Sequence, residues 1–166
     1  MRYAGLILND ITAAPGLCVS LFTQGCPHRC PGCHNSDSWD FDGGEPFTPE
    51  VLDQIINGLT AQGIQRDLCI MGGEPLCPEN IALTDLVIQA VKHKVPNAKI
   101  HIWTGYIYED LIQRMCPMTA AVLAAADTLI DGPYIKELRD ITLSLRGSSN
   151  QKIINLQIFF FLLFLY

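Results

Sequence analysis

Three cysteines fall within eight residues of this chain, in the run Cys26-Pro27-His28-Arg29-Cys30-Pro31-Gly32-Cys33. A C-x3-C-x2-C array lets one loop fold around a single compact metal centre, as in ferredoxins. Gly25, Pro27, Pro31 and Gly32 are turn formers that stiffen and bend that loop. A closed structural site takes four protein ligands, whether zinc or iron–sulfur. Three cysteines on an iron–sulfur cube leave one iron without a protein ligand, and an open iron can take a substrate. Zinc with His28 or His34 as fourth ligand is the structural alternative. His28 also reads as a plain loop residue, and His34 directly follows Cys33, an awkward place from which to bond the same ion.

The chain holds seven cysteines in 166 residues, an odd count that leaves one over from any complete disulfide framework. Cys18 and Cys69 lie in apolar runs and read as small core hydrophobes; Cys77 and Cys116 sit on the loop side, without paired spacing. Leu6-Ile7-Leu8 is too short for a secretory apolar core, so the expected compartment is the reducing cytoplasm. With 11 Lys plus Arg against 17 Asp plus Glu, the formal net charge is −6, which argues against nucleic acid or an anionic membrane as partner. Hydrophobic residues at 49% and charged residues at 17% describe one globular domain.

Apolar runs alternate with helical patterns, the signature of βα units and a parallel sheet. Residues 17–23, 68–71, 99–103 and 128–131 read as strands. A helix is expected over 48–62, with Thr48 as N-cap, Pro49 at the first helical position and Gly63 as stop. Further helices are expected over 79–93, with Leu83, Leu86, Val87, Ala90 and Val91 buried, over 109–115 and over 120–126. In βα folds the loops at the carboxyl ends of the strands carry the chemistry. Four or five such units are too few to close an eight-stranded barrel, which takes ~250 residues. The expected fold is α/β, an open partial (β/α) barrel with one wide side.

Gly72-Gly73-Glu74-Pro75 follows the second strand. Two glycines let a ligand approach the backbone closely, and Glu74 offers a carboxylate to an ammonium. Alone the motif reads as a tight turn. It gains weight from the cysteine loop about forty residues upstream, at the same end of a parallel sheet.

Together, C-x3-C-x2-C after the first strand and GGEP after the second resemble the radical S-adenosylmethionine superfamily. Residues 25–35, GCPHRCPGCHN, resemble the cluster loop of enzymes that activate glycyl-radical enzymes. Trp103-Thr104-Gly105-Tyr106, Asp131-Gly132-Pro133-Tyr134 and Arg146-Gly147-Ser148-Ser149-Asn150-Gln151 narrow the resemblance to activators of anaerobic ribonucleoside-triphosphate reductase, over about residues 5–156. The resemblance implies a partial barrel of the radical S-adenosylmethionine type over 1–156. Cys26, Cys30 and Cys33 would hold a 4Fe–4S cluster, with S-adenosylmethionine chelating the open iron. Glu74 with Gly72 and Gly73 would hold the amino group of that cofactor. Gly32 and His34, flanking Cys33, would lie against its adenosyl part. Reduced flavodoxin would supply one electron, the S–C5′ bond would break, and the 5′-deoxyadenosyl radical would take a hydrogen atom from a glycine Cα of the reductase. The cofactors carry that chemistry, and no acid–base residue is needed.

Other readings stay open. A small radical S-adenosylmethionine enzyme acting on a small molecule shares the barrel, and an activase of another glycyl-radical enzyme shares the cluster loop. A zinc-stabilised binding module leaves GGEP unexplained. Trp103 reads as core or as a platform near the mouth. Arg146 reads as a cofactor-carboxylate or partner contact, or as a solvated side chain. Asp131 reads as a turn cap, and His93 and His101 as structural. Residues 157–166 form an apolar tail with nine consecutive hydrophobic residues from Ile158 to Tyr166. A membrane span takes roughly 18–20, so the tail reads as a terminal strand or a read-through or assembly product, with a membrane-associating tail as the minority reading.

Overall fold

A computed structural model describes residues 1–157; the expected terminal strand at 158–166 lies outside the described residues. In chain order the elements are β1 (Arg2–Asp10), β2 (Cys18–Thr23), β3 (Glu45–Pro46), α1 (Pro49–Leu59), β4 (Asp67–Gly72), α2 (Ile81–Lys94), β5 (Ile100–Trp103), α3 (Tyr108–Gln113), α4 (Pro117–Ala125), β6 (Thr128–Asp131) and β7 (Lys152–Asn155). The strands make one mixed seven-stranded sheet, ordered β3-β1-β2-β4-β5-β6-β7, which does not close. No helix among the described residues is long and apolar enough to cross a membrane.

The four strands legible in the sequence form the centre, where β2, β4, β5 and β6 are parallel neighbours. Side chains alternate between the two faces of each strand. One set, including Leu21, Ile70 and Ile102, packs with Ile55, Leu83 and Val87 of α1 and α2 in the main core. The other face carries a smaller cluster of Ala13, Ala14, Cys18 and Cys69 with Met71 and Trp103. Cys18 and Cys69 are thus core residues, and Cys69 is driven strongly toward its neutral thiol by burial.

The wholly parallel sheet expected from the sequence is corrected at both edges. β1 pairs antiparallel with β2 and with β3, and β7 pairs antiparallel with β6. Register shifts between Tyr3 and Gly5 and between Ile7 and Asp10 break the two-residue period that would have revealed β1.

Helix α1 starts where Thr48 and Pro49 place it, but the Thr48 side chain makes no capping bond to the helix backbone and its hydroxyl bonds the Glu50 carboxylate instead. It ends at Leu59 rather than residue 62, because Gln62 takes a left-handed φ of 60° in a following 3-10 turn. Leu86, expected inside α2, is 40% exposed; Ile88 joins Leu83, Thr84, Val87 and Val91 on the buried face. Helix α4 begins at Pro117, before the expected residue 120, since proline suits a first turn whose N–H groups have no helical partner.

Candidate cofactor site

The loop after β2 and the turn after β4 meet because the strand ladder continues past the strand ends. The register pairs Thr23 with Gly72. Beyond it, the Gly73 N–H donates to Thr23 O and the Glu74 N–H to Gly25 O, each at 2.8 Å. Gly25 and Gly72 hold φ of 94° and 100°, a region that favours glycine. A Cβ on Gly73 would collide with the Gly25 carbonyl. The Gly25 and Cys26 N–H groups donate to Ser38 O and Trp39 O at 2.8 and 3.1 Å, which folds the cysteine loop back on its root.

Cys26 is buried, Cys30 and Cys33 are half-buried, and all seven cysteines are free thiols. Backbone N–H groups point at each of the three sulfurs: His28 and Arg29 at Cys26, Tyr134 at Cys30, and Asn35 at Cys33 with N···Sγ of 3.4 Å. Burial pushes the Cys26 and Cys30 thiols up, and these donors pull them part of the way back. Hydrogen bonds to sulfur are a means by which proteins tune iron–sulfur clusters, so the donor set fits such a cluster. Among the described residues no three His, Cys, Asp or Glu side chains converge as one metal ion requires.

Cys26, Cys30, Cys33, His34, Gly72, Gly73 and Glu74 line one cavity of about 270 Å³. Its remaining walls come from the loops after β5 and β6, so all four parallel strands contribute. Gly32 is placed elsewhere. It packs against Tyr134 and Lys136 on an adjoining cavity of about 310 Å³, which Arg146 also lines. The Arg146 guanidinium is held by Gln151 O at 3.2 Å and Ser144 O at 3.4 Å. Trp103 is both core and wall: it packs with the Cys18–Cys69 cluster, lines the cavity and donates from Nε1 to Leu145 O at 2.8 Å. Asp131 is a cap, accepting the Tyr108 and Lys152 N–H groups. His101 is buried with Nε2 3.5 Å from Asp67, and His93 is exposed.

Glu74 is wholly buried, and its carboxylate meets four protein donors. Oε1 accepts from the Leu76 N–H at 2.9 Å and the Thr104 hydroxyl at 2.7 Å. Oε2 accepts from the Gly105 N–H at 2.7 Å and His28 Nε2 at 2.9 Å. An ionised carboxylate has about four acceptor positions, and this protein fills them. His28, the fourth zinc ligand of the structural alternative, is thereby engaged. Sequence spacing singled out Glu74 but not the roles of His28, Thr104 and Gly105, which reach it only through the strand order.

Comparison with known proteins places this arrangement in a class: the 4Fe-4S single cluster domain family matches residues 13–154. The chain is 38% identical over 161 residues to the anaerobic ribonucleoside-triphosphate reductase-activating protein of Escherichia coli (strain K12), covering 95% of this chain and 100% of that protein. A protein of the same description from Vibrio cholerae is 37% identical over 154 residues, covering 92% and 97% of the two chains. One from Enterobacteria phage T4 is 35% identical over 153 residues, covering 92% and 93%. The chain belongs to the family of anaerobic ribonucleoside-triphosphate reductase-activating proteins.

Proposed function

We propose that this chain is the activating enzyme of an anaerobic ribonucleoside-triphosphate reductase and installs a glycyl radical on it. Cys26, Cys30 and Cys33 would hold a 4Fe–4S cluster, and the adjoining cavity would take S-adenosylmethionine. One observation carries this reading: three thiols that each receive N–H donors share a cavity wall with the Gly72-Gly73-Glu74 turn. When bound, the cluster supplies a single electron to S-adenosylmethionine. The protein's part is to bind, orient and exclude water. The Gly72-Gly73 backbone would take the methionine end, and His34 and Trp103 would face the adenosyl end. Gly32, on the neighbouring cavity, is left to shape the loop.

The unclosed sheet reads as a partial (β/α) barrel of the radical S-adenosylmethionine type, spanning residues 1–156. An open side suits a protein segment as substrate, where a closed barrel admits small molecules. Seven free thiols support a reducing, cytoplasmic setting, and reduced flavodoxin is the electron donor that the family resemblance implies.

The test is electron paramagnetic resonance on protein reconstituted anaerobically with iron and sulfide, before and after S-adenosylmethionine, then with the reductase. The expected result is a reduced-cluster signal that changes with the cofactor, and a glycyl radical on the reductase. Cys30→Ala should lose cluster and activity together. Zinc in place of a cluster, or a cluster signal indifferent to the cofactor, refutes the reading.

A further inference from the structure

His28 lies between two of the three cysteines, yet nothing in the proposed function employs it. Its Nε2 donates to Glu74 Oε2 at 2.9 Å. The ring has a built seat. Tyr106 meets it edge-on, with centroids 4.4 Å apart and planes at 69°. Gly105 lies against it, where a Cβ would stand 2.5 Å from His28 Cδ2. The Arg114 guanidinium covers the Tyr106 ring at 3.8 Å from its centroid. Between Cys26 and Cys33, the Cys30 sulfur also accepts a hydrogen bond from outside the loop, the Tyr134 N–H, while His28 is the side chain that donates one.

We propose that His28 is a positioning residue, a clasp that ties the cysteine loop through Glu74 to the loops after β4 and β5. It holds Cys26 and Cys30 toward the cavity before any cluster is loaded. The Gly25–Glu74 backbone bond fixes only the root of the loop, and the Ser38 and Trp39 carbonyls only its return. Within the stretch that carries the thiols, the Tyr134 N–H reaches the Cys30 sulfur, and the imidazole supplies the tie next to Cys26. The same contact redistributes the roles in the turn. With all four positions on Glu74 occupied, recognition of a cofactor ammonium falls to the backbone at Gly72 and Gly73. The carboxylate serves as the anchor of the loop. The inference rests on the proposed function only in calling these thiols cluster ligands.

The test uses the full chain without metal, under anaerobic conditions, with iodoacetamide alkylation of each cysteine followed by peptide mass spectrometry. His28→Ala should raise the Cys26 rate about tenfold, the scale set by losing one charge-assisted hydrogen bond. His28→Gln, whose amide N–H can reach Glu74, should stay within about threefold of wild type on the same reasoning. Gly105→Ala evicts the ring and should reproduce His28→Ala, but add nothing in the double variant. Cys18, Cys69 and Cys77, each 0% exposed, report whether the fold survives. If His28→Ala unmasks them, the Gly105→Ala and His28→Gln rates decide by the same criteria. A wild-type Cys26 rate in His28→Ala overturns the clasp. So does a His28→Gln rate as fast as that of His28→Ala, or a Gly105→Ala effect that persists undiminished without His28. On loading, His28→Ala should give a broadened reduced-cluster spectrum and His28→Gln a wild-type one. Failure of the wild-type chain to take up a cluster would count against the proposed function and leave the metal-free rates standing.

Discussion

Replacing Glu74 with Gln separates two roles for this carboxylate. The amide is nearly isosteric, but one oxygen becomes an NH2 donor. If the NH2 replaces Oε1, the Thr104 hydroxyl can turn to accept, but the Leu76 N–H cannot. If it replaces Oε2, the imidazole can present its other tautomer, but the Gly105 N–H cannot. Either orientation leaves one buried backbone N–H facing a donor, at a cost of about 1–3 kcal/mol, and weakens the remaining bonds by removing the charge. A total of about 2–4 kcal/mol follows, and at roughly 2–4 °C per kcal/mol for a chain of this size the melting temperature should fall by roughly 5–15 °C. The assay is thermal unfolding by far-ultraviolet circular dichroism, without iron, sulfide or S-adenosylmethionine. A carboxylate reserved for a cofactor ammonium predicts no change in that sample. A Glu74→Gln melting temperature within about 2 °C of wild type would refute the reasoning.

Three further outcomes are expected. Gly73→Ala drives a Cβ into the Gly25 carbonyl, a backbone atom that cannot swing aside, and should cost about 3 kcal/mol or more in urea unfolding; a wild-type midpoint contradicts the joined ladder. Trp103→Phe removes the Nε1 bond to Leu145 O and should speed limited proteolysis around residues 140–147 severalfold, an effect absent if that bond is not what holds the segment. Burial pushes the Cys77 thiol from 9.0 up to about 12. Between those pH values the unfolded chain has released a proton that the folded chain retains, so stability falls as pH rises through the window, by up to about 1.4 kcal/mol per pH unit. Cys77→Ala should flatten that decline, read from urea midpoints at about pH 8 and about pH 10; an unchanged slope rules Cys77 out as a contributor.

The parallel strands were legible because each is a short apolar run broken sharply by glycine, as in Leu68-Cys69-Ile70-Met71 before Gly72. β1 was not, because its two register shifts scramble the alternation, and β7 was not, because it runs on into Leu156 with no glycine to end it. The cysteine loop and the GGE turn could be singled out from side-chain type and spacing, and the structure sets them around one cavity. The partners of Glu74 were hidden for a different reason. Two of its donors are backbone N–H groups, at Leu76 and Gly105, which leave no residue signature. Gly105 is small because the His28 ring occupies the space of its Cβ, a contact between loops that no local window displays.

The strand order explains why a carboxylate, and not a smaller or neutral group, stands at residue 74. The parallel register brings the ends of β2, β4 and β5 side by side, and each delivers a donor to one point: His28, then Leu76, then Thr104 with Gly105. Four donors from three chain segments can be satisfied together only by an anion with two accepting oxygens. An amide would accept about half of them, and a hydrocarbon would leave all four unpaired in a buried place. The loop after β6 joins through other contacts, the Tyr134 N–H on Cys30 and Leu145 O on Trp103. The cysteine loop therefore meets polar contacts from the turn after β4 and from the loop after β6. Such a network confines the loop to few conformations, which is the condition for a short peptide to present three thiols at once.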